Sequence, residues 1–109
     1  MMNRLSLFAL CLTFLLATAA TAAESSDQGQ QVYQKTCSAC HDSGLAGAPK
    51  FGDEEAWEER LEKGMDTLVM HAINGFQGDA GIMPAKGGNA ALSDAEVEAA
   101  VRYMVGKSH

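Results

Sequence analysis

Cys37-Ser38-Ala39-Cys40-His41 is the stretch on which the reading of this chain turns. Two thiols three positions apart on a helical turn can each add to a vinyl group of one porphyrin, and the adjacent histidine is carried over the metal as its proximal ligand. The spacing therefore points to a single covalently attached c-type haem, with Cys37 and Cys40 as its attachment sites and His41 as an iron ligand. Other uses of a cysteine pair need company that is missing here. A thioredoxin-like redox pair requires a βαβ setting and a structural zinc site requires a second ligand pair, whereas the remaining candidates, Cys11, His71 and His109, each stand alone. A plain Cys37 to Cys40 disulfide is the surviving rival, and the rest of the chain has to decide against it.

Upstream, Arg4 supplies positive charge, Leu5 to Leu16 is nearly all apolar, and the small residues from Ala17 to Ala23 offer cleavage points. Residues 1–23 thus read as a signal peptide, cut after Ala23 or at Ala22 or Ala19, with residues 24–109 as the exported, periplasmic domain. An uncleaved anchor is the competing reading, and Ser6, Thr13, Thr18 and Thr21 dilute the run it would need. Cys11 follows the bulky Leu10 inside the apolar run, which does not suit a lipoprotein cysteine, and it leaves with the leader. The two cysteines that remain are those thioether bonds would consume, as an oxidising compartment favours. So short a domain also benefits from a staple, and a buried porphyrin provides both apolar surface and cross-links.

The formal charge of the chain is −6, with the acidic surplus gathered in Glu54, Glu55, Glu58, Glu59 and Glu62. That balance argues against nucleic acid and anionic membrane surfaces as partners. The run reads equally well as a solvated helix face and as a docking patch.

Along the domain, Asp27 to Thr36 is expected to form a first helix ending at the haem motif, with Val32 and Tyr33 as its apolar contacts. Asp42 to Gly52, rich in Gly, Ala and Pro, is expected to loop over one haem face. Asp53 caps a short helix to Lys63 that pairs Trp57 with Leu61, and another helix runs from Asp66 to Asn74 with Gly75 as its stop. Gly75 to Asn89 carries five glycines and one proline and is read as a loop. Ser93-Asp94-Ala95-Glu96 forms a capping box ahead of Val97, Ala100, Val101, Met104 and Val105, one buried stripe of a terminal helix. No period-2 alternation is long enough for a strand, so an all-α domain of three to five helices around one haem is expected.

Iron held by one histidine needs a sixth ligand if it is to pass electrons without binding small molecules. Met83, in Gly81-Ile82-Met83-Pro84, offers a soft uncharged sulfur on a loop able to reach a haem face. Met70 and His71 are the alternatives, while Met65 and Met104 read as gap-filling core residues.

One C-x-x-C-H after a first helix, a Met-Pro loop some forty residues later and a final helix resemble a small class I cytochrome c. Gly47-Ala48-Pro49-Lys50, Trp57 with Arg60, Gly64-Met65-Asp66-Thr67-Leu68 and Met83-Pro84-Ala85-Lys86-Gly87-Gly88 are similar to the bacterial cytochrome c5 group across nearly the whole domain. The resemblance implies that the Pro49 carbonyl accepts the proton of the second His41 nitrogen and so orients the ring. It implies that Trp57 and Arg60 bind the haem propionates, and that Gly29 and Tyr33 let the terminal helix cross closely. Members of that group often carry a second cysteine pair after the two glycines; Asn89 and Leu92 stand there in this chain, so this loop is expected to be less tied down.

These observations converge on an electron carrier exchanging electrons with donor and acceptor redox proteins. It has no small-molecule substrate, no catalytic acid, base and nucleophile set, and no membrane-embedded part after cleavage. A haem-based sensor or enzyme acting on peroxide or nitric oxide, with an open sixth position, is the alternative.

Overall fold

The computed structural model describes residues 17–108, so most of the leader reading, Met1 to Leu16 with Cys11, and the terminal His109 lie outside the described residues. Five α-helical segments carry the fold: α1 (Ala17–Val32), α2 (Ser38–His41), α3 (Glu54–Leu61), α4 (Met65–Asn74) and α5 (Asp94–Lys107). The all-α expectation holds. Among the described residues no helix is long and apolar enough to cross a membrane.

Helix α1 begins ten residues before the expected Asp27, so Ala17 to Ala23 are helical here. At its other end it runs straight into a wide π-helical turn over Tyr33–Cys37, where the Ser38 N–H reaches back to the Tyr33 carbonyl. Such turns insert one residue into a helix and re-aim the chain beyond them, and they concentrate at functional sites. No sequence signal announced it. Here the turn delivers Cys37 and then α2, which holds Cys40 and His41.

Helix α5 starts on the capping box read from the sequence. The Ser93 hydroxyl accepts from the Glu96 N–H at 3.1 Å, and the Glu96 carboxylate accepts from the Ser93 N–H at 3.0 Å. Its buried stripe contains Val97, Ala100, Val101, Met104 and Val105 as expected, and Ala99 besides. Ala99 is buried because α1 crosses there: a Cβ added at Gly29 would lie 2.2 Å from the Ala99 carbonyl oxygen. Only glycine permits that approach. Tyr33, Phe51 and Tyr103 fill the crossing, with ring centroids 4.8 to 5.8 Å apart.

Helix α3 is capped as expected, the Asp53 carboxylate accepting from the Ala56 N–H at 3.2 Å, and it buries Trp57. The segment read as loop between Gly75 and Asn89 contains a short antiparallel pair, β1 (Phe76–Gln77) and β2 (Ile82–Met83), in register Phe76 to Met83 and Gln77 to Ile82. Two-residue strands leave no periodicity to read. The pairing comes instead from the turn between them, where the Gly78 N–H donates to the Gly81 carbonyl at 2.9 Å.

Candidate haem site

His41 is the best-held side chain of the site. It is 7% exposed, and its Nδ1–H donates to the Pro49 carbonyl at 2.8 Å, the bond the resemblance implied. Two residues on, the Phe51 N–H donates to the His41 carbonyl at 2.7 Å, so one short segment fastens both ring and backbone. With Nδ1 committed, Nε2 is the nitrogen left for a metal. Burial lowers the His41 pKa below its ordinary value, an effect the Pro49 bond partly opposes, and this favours the neutral, ligating imidazole.

Cys37, Cys40, His41 and Met83 all line one cleft of about 600 Å³ with mostly apolar walls, a size within the roughly 300–1,000 Å³ of small-molecule sites. Leu68, Ala72, Val101 and Met104 contribute from the core side, and Leu45 and Ile82 stand at 60% and 63% exposure along it. Both cysteines are half-buried and no disulfide joins them. Burial pushes the Cys37 thiol up to about 11. A planar apolar macrocycle with two vinyl groups and an iron suits this cleft, since the donors are one imidazole nitrogen and one thioether sulfur flanked by two thiols. Among the described residues no three His, Cys, Asp or Glu side chains cluster to hold a bare metal ion.

Met83 is half-buried, packs against the core and sits on β2, held there by the pairing with Phe76. Its alternatives fall differently. Met70 is 51% exposed and does not line the cleft, whereas His71 does line it but stacks on Phe76.

Trp57 lines the cleft and faces the His41 ring, centroids 5.9 Å apart. Its one N–H donates to the Lys50 carbonyl at 2.9 Å, so the donor the resemblance gave to a propionate is already in use. Arg60 lines the cleft too and spends one N–H on the Ala56 carbonyl at 2.9 Å, keeping its charge at the wall.

Three supports escaped the sequence reading. Glycines 47 and 81 let two loops touch backbone to backbone: a Cβ at Gly47 would lie 1.9 Å from the Ala80 carbonyl oxygen, and one at Gly81 would lie 1.9 Å from that of Ala46. Buried Ser108 accepts from the Gly52 N–H at 2.8 Å and donates to the Met104 carbonyl at 2.7 Å, tying the loop beyond Pro49 to α5. Lys86 donates to the Leu92 carbonyl at 2.6 Å and pairs with Asp94 at 3.2 Å. That clamp, with Asn89 bonded to Thr36 at 3.4 Å, holds the loop that was expected to be less tied down without a second cysteine pair.

A few helices closed round such a cleft, with C-x-x-C-H on one and a Met-Pro loop beside it, define the class I monohaem cytochromes c. A family model described as cytochrome c oxidase, cbb3-type, subunit III matches residues 24–104. Cytochrome c-555 of Chlorobaculum tepidum is 47% identical over 98% of this chain and 99% of its own length. Cytochrome c5 of Ectopseudomonas mendocina is 39% identical over 81% of this chain and 99% of its own. A cytochrome c solved in an electron transfer complex with nitrite reductase superposes with a TM-score of 0.66, at 40% identity over 75% of this chain and 95% of that one. The chain belongs to the class I cytochromes c, in the family of the cytochromes c-555 and c5, and is an electron carrier rather than an enzyme.

Proposed function

We propose that the chain carries one haem c bound through thioethers at Cys37 and Cys40, with His41 and Met83 as axial ligands, and passes electrons between redox proteins after export to the periplasm. The haem supplies a one-electron cycle between ferric and ferrous iron. The chain's own residues set how that cycle runs. His41, oriented by Pro49, presents Nε2 as a neutral donor. Met83 would offer the iron a soft sulfur, which favours the ferrous state and raises the potential, and would keep small ligands from the metal. Arg60 keeps a positive charge at the wall, which suits a propionate. Trp57 serves chiefly as apolar wall against His41, and a propionate would reach its N–H only by displacing the Lys50 carbonyl.

The observation that carries this reading is the doubly fastened His41 sharing one apolar cleft with Cys37, Cys40 and Met83. Redox proteins as partners draw support from the related cytochrome c that was solved bound to nitrite reductase. The leader, residues 1–23, supports export, and the intact mass of exported protein should start near Ala23 or Glu24. Extraction of purified protein with acid and organic solvent tests the attachment. Haem should stay on the polypeptide; haem that extracts freely would overturn the thioether assignment.

A further inference from the structure

Phe76 stands at the wall of the haem cleft, as do the two residues that hold it, His71 and Lys63. It is 36% exposed, yet it is packed from several directions. Its ring stacks on His71 of α4 with centroids 4.3 Å apart and planes 21° apart. The Lys63 ammonium, from the link between α3 and α4, lies 4.9 Å from its centroid. On the chain's own side, a Cβ added at Gly78 would come within 2.7 Å of the ring. Offset aromatic stacks and ammonium-over-ring contacts are both attractive and directional. Together they fix the ring against the α3–α4 side of the cleft.

The backbone of Phe76 is what gives this placement a consequence, because Phe76 is the residue paired directly across the ribbon from Met83. The ribbon is two residues long on each side, too short to hold a loop by its own hydrogen bonds. Phe76 is thus a link between helix α4 and the strand that bears the thioether. We propose that Phe76 is a positioning residue for Met83: clamped by His71 and Lys63, it anchors the β1–β2 ribbon and so sets how firmly the Met83 sulfur stays on the iron. The proposal rests on Met83 being the axial ligand.

The test uses ferric holoprotein and external imidazole, which competes with a weakly held sixth ligand, monitored through the far-red sulfur-to-iron band. Phe76→Ala should bind imidazole about tenfold more tightly in apparent terms than wild type, the size expected from losing one stack and one exposed cation–ring contact. Phe76→Tyr, which keeps the stack, should restore wild-type behaviour. Lys63→Gln should give a smaller shift in the same direction, and Phe76→Leu, which keeps apolar bulk at that position but loses the stack and the ammonium contact, should shift as Phe76→Ala does. Imidazole binding unchanged in Phe76→Ala, or unchanged in Phe76→Leu, would overturn the clamp. Met83→Ala separates the two readings: if it keeps the band, the ligand assignment has failed, whereas if it loses the band while Phe76→Ala matches wild type, the clamp alone has failed.

Discussion

The crossing of α1 and α5 and the meeting of the two loops at the cleft both bring backbones together too closely for any residue but glycine, by different physics. At the crossing, Gly29 abuts Ala99 amid buried Val97, Ala100, Val101, Met104 and Val105, so the contact is backed by apolar area and neither helix can yield alone. At the loops, Gly47 and Gly81 abut Ala80 and Ala46, in irregular chain at the wall of the cleft and outside the buried core cluster. One contact belongs to the folding core and the other to the site. Damage to the first should register in stability, and damage to the second in the spectrum.

Met104→Ala should give the largest loss of stability, about 3 kcal/mol, since it empties a 3%-exposed position shared by the core and the cleft. Thermal unfolding of the holoprotein would show it as a drop of more than about 10 °C, at roughly 4–8 °C per kcal/mol for a domain of this size. Gly29→Ala should cost about 2 kcal/mol, overpacking outweighing the gain in helix propensity. The matched insult at the loops sharpens the comparison. Gly81→Ala puts a Cβ even closer to a carbonyl, yet two irregular loops can part where packed helices cannot, so about 1 kcal/mol or less is expected. Its larger effect should be a weakened far-red band, because Gly81 lies two residues before Met83. Equal unfolding costs at Gly29 and Gly81, with unchanged spectra in both, would break the distinction.

Lys86→Met removes one hydrogen bond and one partly exposed ion pair from the loop clamp, and should lower stability by about 1 kcal/mol. The smallest effect belongs to Glu96. Its bonds to Ser93 hold its carboxyl below the usual value, so its contribution is present above about pH 4.5 and fades as pH falls through the lower folded value. Glu96→Gln should therefore flatten the acid limb of the stability profile slightly and leave the neutral region almost unchanged, as a melting series from about pH 3 to 7 would show.

The features legible in the sequence were those encoded by neighbours. The capping box at Ser93, the α5 stripe, the Asp53 cap and the haem motif all lie within a turn or two of chain, and the resemblance supplied Pro49 and Gly29. The illegible features join residues that are distant in sequence or set by the backbone. Ser108 meets Gly52 across the fold, Gly47 meets Ala80 through two irregular loops, and the wide turn at Tyr33–Cys37 has no compositional mark. The Trp57 N–H bond to the Lys50 carbonyl likewise joins residues seven apart through an irregular loop. The β pair stayed hidden because four residues cannot show a period.

The central claim is that Met83, and not Met70 or His71, completes the site opened by His41. The most direct measurement is the carbon monoxide difference spectrum of the ferrous protein together with the ferric far-red band, in wild type, Met83→Ala and Met70→Ala. Wild type and Met70→Ala should show the band and resist carbon monoxide at neutral pH, while Met83→Ala should lose the band and bind carbon monoxide readily. Carbon monoxide binding by wild type, or loss of the band in Met70→Ala with its retention in Met83→Ala, would contradict the account.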